Sequence, residues 1–266
     1  MTMITGSAKI FAIIANPVSL VRTPDVLNAA LEQARINAVI VPVQVSAENL
    51  ASVMAGFRGM ENLGGIVISN PHKATVGPLC DEVSPRAQAI GSVNAVRREC
   101  DGRLIADMFD GMGFIAGMLS CGLDAKGQRT LLVGAGGAAA AVAFALAEAG
   151  ITTLTVTDPD GCKAQALVTR MSGAFPGLDV RLGSVDPTGH GLVINAVSIS
   201  SWVTGPPPVD INRLRPGMIA AEMMHTPEST PFLCAAEAKG CIIHYGRHML
   251  DSQLRLISEF IGVPTT

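Results

Sequence analysis

Between Arg129 and Gly150 an apolar run, a glycine-rich turn and a stretch of nearly pure helix formers follow one another without interruption. Arg129–Val133 suits a buried parallel strand, and Ala138–Ala149 suits a helix stopped by Gly150. A strand that passes through a tight turn straight into a helix commits this part of the chain to an α/β arrangement. In the turn Gly134-Ala135-Gly136-Gly137-Ala138, Gly134 allows the sharp reversal and Gly136 leaves the backbone open to close approach by a pyrophosphate. Ala139 is the third small position, where helix and strand must pack closely. The first N–H groups of the helix and the positive end of its dipole then face the turn. Asp158 ends the next strand-like run, Thr152–Thr157, near the roughly 20-residue separation at which a carboxylate meets the adenosine ribose hydroxyls of a bound dinucleotide. A carboxylate at that point repels a 2′-phosphate, so the pattern favours NAD, with NADP as the alternative. The competing reading of the same residues is a Rossmann-like domain with an empty turn and Asp158 in an Asp-Pro-Asp loop.

Composition narrows the setting. A chain of 266 residues exceeds the usual ~100–200 residues of one domain and can bury a sizeable core. Charged residues make up 15% and the net charge is −3, so there is no basic footprint for nucleic acid. Gly, Pro or charge breaks every apolar stretch before the ~18 residues that would span a bilayer, so no membrane partner is expected. Met1–Ser7 lacks the charged start and apolar centre of a secretory signal and reads as a leader outside the fold, which suits a cytoplasmic protein. The six cysteines, Cys80, Cys100, Cys121, Cys162, Cys234 and Cys241, are scattered without metal-type pairing and read as reduced thiols. His225, His244 and His248 read as polar surface or loop residues, because no ligand spacing connects them, and no metal is expected.

Strand and helix patterns alternate along the chain. Lys9–Ala15, Ala38–Val43 and Gly65–Ser69 read as strands, separated by the helices Pro24–Ala34 and Glu48–Met60. A second α/β series starts near Arg129 and runs on through Val180–Leu182, Leu192–Ala196, Met218–Ala221 and Cys241–His244, ending in a helix near Met249–Ile261. The fold class is therefore α/β, with an N-terminal domain on a mostly parallel sheet and a C-terminal Rossmann-type dinucleotide-binding domain. The expected boundaries are residues 1–110 with 249–266 for the first domain and 111–248 for the second. A cleft between two such domains is the natural place for catalysis.

Taken singly, the polar residues near the expected strand ends are unremarkable. Lys73 in Pro71-His72-Lys73 suits a surface lysine, and Asn94 in Gly91-Ser92-Val93-Asn94 and Asp110 in Asp110-Gly111-Met112-Gly113 suit ordinary turns. Their order along the chain is more specific. Asn16-Pro17-Val18 through Thr23-Pro24 comes first, then those three segments, Gly134-Ala135-Gly136-Gly137-Ala138, Ile194-Asn195-Ala196, Pro227-Glu228-Ser229-Thr230-Pro231, and finally Gly246 to Gln253. Over almost its whole length the chain resembles the shikimate dehydrogenase family, including its quinate-oxidising members.

That resemblance implies an oxidoreductase moving a hydride between a nicotinamide cofactor and a ring hydroxyl or ketone of a small cyclic hydroxy acid. It implies Lys73 and Asp110 as the catalytic pair, and Ser69, Asn94 and Gln253 as hydrogen-bonding partners of the polyhydroxylated ring. Thr23 falls at a carboxylate-holding position, while Asn195, Met223 and Gly246 fall beside the cofactor. The other readings are a divergent relative acting on an aminated or less hydroxylated analogue, and a non-catalytic metabolite sensor; a monomer or homodimer suits all of them. The chain also departs from the family pattern. Val21 stands where a serine is usual, His225 where a tyrosine is usual, and Met108-Phe109 where Asn-Thr precede the aspartate. Asp158-Pro159-Asp160 replaces the Asn-Arg-Ser/Thr of NADP-dependent members, which removes the arginine that would clamp a 2′-phosphate.

Overall fold

The computed structural model describes residues 4–197, 208–225 and 227–263; within Met1–Ser7, expected to lie outside the fold, Thr5 and Ser7 instead accept hydrogen bonds from the Asn37 side chain at 2.7 and 3.2 Å. The chain divides into two compact units, Met1–Phe109 with Leu254–Thr266, and Asp110–Gln253.

In the first unit the strands β1 (Lys9–Ala15), β2 (Ala38–Gln44), β3 (Leu63–Ile68), β4 (Glu82–Val83), β5 (Ala95–Arg98) and β6 (Leu104–Asp107) form one sheet in the order β2-β1-β3-β5-β6-β4. Only β5 runs against its neighbours, which leaves the sheet mostly parallel. The β1 sequence Lys-Ile-Phe-Ala-Ile-Ile-Ala is an almost unbroken apolar run, and its last five residues are buried, as a central parallel strand covered on both faces requires. Helices α1 (Thr23–Gln33), α2 (Leu50–Arg58) and α3 (Pro85–Ile90) complete the unit together with the second half of α8 (Gly246–Ile261). Gly65 in β3 makes room for α8, since a Cβ there would lie 2.6 Å from Cβ of Ile261.

The β5–β6 hairpin is absent from the alternation seen in the sequence. Each arm is only four residues long and β5 ends in Arg97-Arg98, so neither carries enough periodic signal.

The second unit holds β7 (Arg129–Val133), β8 (Thr153–Thr157), β9 (Asp179–Leu182), β10 (Leu192–Asn195), β11 (Ile219–Glu222) and β12 (Ile242–His244), in the order β12-β11-β10-β7-β8-β9. Every pairing is parallel. This is the doubly wound order in which the chain direction across the sheet reverses between β7 and β10, and ligands settle beyond the carboxyl ends of strands at such a point. Helix α5 (Gly137–Glu148) is buried from Ala139 through Leu146 and has almost no polar face, so it must be covered on all sides. One covering element is α4 (Asp110–Ser120), with Gly111 seated directly on the α5 backbone. Helices α6 (Gly161–Ala174) and α7 (Pro231–Ala238) complete the unit. Among the described residues no helix is long and apolar enough to cross a membrane.

Candidate active site

In the first unit the candidate residues collect where β3 and β6 end and β5 begins. Ser69 continues the ladder of β3, donating its N–H to the carbonyl of Ile14 at 2.9 Å. Ile68 donates to the carbonyl of Asn94 at 2.8 Å, and Val93 donates to the carbonyl of Lys73 at 2.8 Å. Ser69, Lys73 and Asn94 therefore stand on backbone segments bonded directly to one another. Asn94 is fully buried and its Oδ1 accepts the N–H of Phe109 at 2.9 Å, so it is a fixed polar group in the core and not a turn residue.

Lys73 sits on a single 3-10 turn, His72–Ala74, and is half-buried, which revises the surface position that its sequence context alone suggests. The neighbour His72 is the buried member of the motif, with Nε2 2.8 Å from the carbonyl oxygen of Val45. Sequence reasoning missed His72, although a histidine between a proline and a lysine at a strand end is a signal for such an anchor. Thr23 is buried in the first turn of α1, with Arg22 exposed just before it. Met108 and Phe109 are also buried, and the Phe109 ring lies 5.2 Å from that of Phe260 and 5.2 Å from the Arg86 guanidinium. These contacts make Phe109 a packing residue of the first unit.

In the second unit Asp110 opens α4 and is fully buried, which replaces the turn expected from Asp-Gly-Met-Gly. A carboxylate in the first turn of a helix lies at the positive end of the helix dipole. Gln253 Nε2 donates to Asp110 Oδ1 at 2.8 Å, so two candidate residues far apart in sequence meet here. Gly113 permits the approach, because a Cβ at that position would lie 2.6 Å from Cβ of Gln253.

The glycine turn has the shape of a phosphate cradle. Gly134 has φ +118 and donates to the carbonyl of Thr157 at 2.7 Å, and a Cβ there would lie 2.9 Å from the carbonyl carbon of Ala196. Both the backbone conformation and the crowding require glycine. Gly136 is different: it precedes α5 in extended conformation, no side chain caps the helix, and a Cβ there would meet nothing within 4 Å. That open space before a helix N-terminus fits a pyrophosphate.

Asp158 stands at the end of β8 with Oδ2 accepting the N–H of Ala135 at 2.7 Å and Oδ1 accepting that of Asp160 at 2.8 Å. The carboxylate is thereby held beside the turn. Asp160 caps α6, and hydrogen bonds from the backbone of Lys163 and Cys162 hold its carboxyl below the usual range. The Lys163 ammonium lies 3.5 Å from the Asp160 carboxylate, so the nearest cation in this stretch is engaged with its own helix cap.

At the ends of β10 and β11, Asn195 donates through Nδ2 to both oxygens of Glu222 at 2.9 Å. Glu222 is fully buried and also accepts from the backbone of Met223 and from the Thr230 hydroxyl, both at 3.1 Å. Burial pushes its carboxyl up to about 7, against the opposing effect of these donors. Sequence reasoning passed over Glu222, although a lone carboxylate closing the apolar run Met218–Ala221 was the available signal. The folded chain holds this proton more tightly than the unfolded chain, whose carboxyl titrates near 4.5, so stability falls as pH rises from about 4.5 to about 7. Glu222→Gln is expected to remove that slope, worth up to roughly 3 kcal/mol across the window. Urea denaturation at stepped pH measures it, and an unchanged slope in the variant excludes Glu222 as its source.

Gly246, which opens α8, lies against the segment that follows β11: a Cβ there would be 2.1 Å from the carbonyl oxygen of Met224. Arg247 is exposed and paired with Glu228. His225 is half-buried. His244 corrects the expectation of a surface or loop residue, since it ends β12 fully buried, edge-on to the Phe114 ring at 5.3 Å.

Comparison with known proteins shows what the chain is similar to. Residues 13–96 match the family model described as the shikimate dehydrogenase substrate binding domain. The shikimate dehydrogenase (NADP(+)) of Lysinibacillus sphaericus is 36% identical over 249 residues, covering 92% of this chain and 89% of that protein. A crystal structure of a shikimate dehydrogenase in complex with NADP+ superposes with a TM-score of 0.91 at 28% identity, covering 100% of this chain and 94% of the other. Quinate dehydrogenase from Corynebacterium glutamicum in complex with NAD superposes with a TM-score of 0.85 at 27% identity, covering 97% and 95%.

Proposed function

The chain belongs to the shikimate dehydrogenase family, and from that premise we propose that it interconverts a ring hydroxyl and a ketone on shikimate or quinate with NAD as the preferred hydride carrier. Kinship with dehydrogenases over more than nine-tenths of the chain supports the reaction class. The observation that carries the choice of NAD is Asp158, anchored to the N–H of Ala135 beside an open glycine cradle. A carboxylate there accepts the ribose hydroxyls and repels a 2′-phosphate. Lys163, already 3.5 Å from Asp160, leaves no arginine-like clamp in the Asp-Pro-Asp stretch. The curated relatives carry NADP(+) in their names, so this chain would differ from them in its cofactor.

In this reading the second unit holds the dinucleotide through Gly134, Ala135, Gly136, Gly137, Ala138 and Asp158, with Asn195, Met223 and Gly246 toward the nicotinamide end. The first unit holds the substrate: Ser69 and Asn94 bond the ring hydroxyls, joined by Gln253, and Thr23 takes the carboxylate. A nicotinamide cofactor held by these residues would supply the acceptor for a hydride from the alcohol carbon. Lys73 and Asp110 handle the proton. The Lys73 amine is proposed to hold the alcohol oxygen, receive its proton and stabilise the charge that develops on it, with Asp110 as the second member of the pair that the family resemblance implies. In the reducing direction Lys73 returns the proton to the carbonyl oxygen. Gln253, bonded to Asp110 at 2.8 Å, fixes which carboxylate oxygen faces the substrate.

Initial rates with shikimate and quinate, each offered NAD and NADP, test the proposal. Turnover with NAD in either pair is expected; turnover with NADP alone keeps the enzyme but overturns the cofactor assignment, and no turnover in any pair overturns the activity. Asp158→Ala is expected to narrow the NAD to NADP ratio of kcat/KM by about tenfold or more, the loss of one charge-assisted hydrogen bond and one repulsion. An unchanged ratio removes Asp158 from cofactor choice.

A further inference from the structure

Three metal-binding side chains that the dehydrogenase chemistry does not use converge in the second unit. Cys121 follows the C-terminus of α4, His244 ends β12, and His248 lies in the first turn of α8. One ligand atom from each lies within 4.8 Å of the other two. The His244 and His248 rings are stacked with centroids 5.4 Å apart and planes 10° from parallel. Close helix packing builds the cluster, because a Cβ at Gly117 would lie 2.7 Å from the carbonyl carbon and oxygen of His248. Only glycine lets α4 run this near to α8.

His244 carries the second, independent observation. Its side chain is fully buried, yet neither Nδ1 nor Nε2 has a hydrogen-bond partner. A neutral imidazole presents one donor and one acceptor, and burying both without partners is strongly disfavoured; such a group points to an ion or water that completes it. A neutral imidazole keeps a lone pair on one ring nitrogen. Coordination uses that lone pair directly.

We propose that Cys121, His244 and His248 form a binding site for a divalent cation of the zinc class, with water as the fourth ligand. One thiolate and two imidazoles are the donor set that a borderline-soft tetrahedral ion prefers, and a hard cation such as magnesium does not. Metal bonds of about 2.0–2.3 Å place tetrahedral ligand atoms roughly 3.3–3.8 Å apart, so the cluster closes by about 1 Å on binding. Rotation of the exposed Cys121 and half-buried His248 side chains accommodates that change. The bound ion joins the end of α4 to the start of α8, the two helices that also carry Asp110 and Gln253.

The test titrates zinc alone into the full-length reduced protein, following heat of binding and Tm. Wild type is expected to bind one equivalent with a rise in Tm, and both Cys121→Ser and His248→Gln are expected to weaken binding at least tenfold. Both variants alter accessible side chains, so neither depends on the buried His244 for folding. Cobalt supplies a readout independent of activity: wild type should show a sulfur-to-cobalt charge-transfer band that Cys121→Ser lacks. Absence of stoichiometric zinc binding, binding unchanged in His248→Gln, or a cobalt spectrum without the sulfur band each overturns the site.

Discussion

Lys73→Ala should lower kcat by about 10²–10⁴-fold, the usual contribution of a positioned proton-transfer group, while leaving dinucleotide affinity unchanged. The separation follows from where the residue sits. Lys73 lies on a turn that its neighbours hold through other atoms: His72 to the carbonyl of Val45, and the Lys73 carbonyl to the N–H of Val93. Removing the half-buried amine and its methylene stem leaves those bonds in place, so the turn should persist. The cofactor cradle belongs to the other unit, so fluorescence titration of the reduced dinucleotide should give the wild-type Kd. His72→Ala is the informative contrast. It removes the buried anchor beneath the turn, and should therefore lower stability and kcat together, whereas Lys73→Ala lowers kcat alone. A Lys73→Ala enzyme that keeps kcat within a few fold of wild type would exclude the proposed proton-transfer role.

The contrast between His72 and Lys73 also shows where sequence reasoning succeeds and where it stops. The segment β7–α5–β8 was legible because apolar runs, helix formers and glycine positions agree at every level, and its observed limits fall within a residue of the expected ones. The position of Asp158 at the end of β8, beside the glycine turn, was legible for the same reason. Residues whose environment is made by distant segments were not. Asp110 reads as a turn until α5 and Gln253 are brought against it, and Glu222 reads as one more carboxylate until Asn195 and Thr230 close over it. His244 is the extreme case: it is buried against Phe114 of α4 and His248 of α8, and nothing in its local sequence distinguishes it from an exposed histidine. The β5–β6 hairpin failed for a different reason, since four-residue arms are too short for periodicity to register.

Helix α4 makes the same point in energetic terms, and Gly111→Ala should be among the most destabilising single substitutions in the chain. A Cβ at position 111 would lie 2.1 Å from the carbonyl oxygen of Ala141, 2.7 Å from its carbonyl carbon and 2.8 Å from Cβ of Ala145. Overpacking in a core commonly costs 1–3 kcal/mol when side chains can move aside, and here the obstructing atoms are helix backbone, so a loss of about 3 kcal/mol or more is expected. Urea denaturation should show a lower midpoint with an unchanged m value, as a pure stability change requires. Gly113→Ala directs the strain elsewhere. Its Cβ would meet Gln253, at 2.6 Å from Cβ and 2.9 Å from Cα, and so would press on the residue that bonds Asp110. That variant should lose stability and also raise KM for the cyclic acid, whereas Gly111→Ala, measured at a temperature where it remains folded, should keep KM near wild type. If Gly111→Ala stays within about 1 kcal/mol of wild type, α4 and α5 can separate more freely than backbone-on-backbone packing allows.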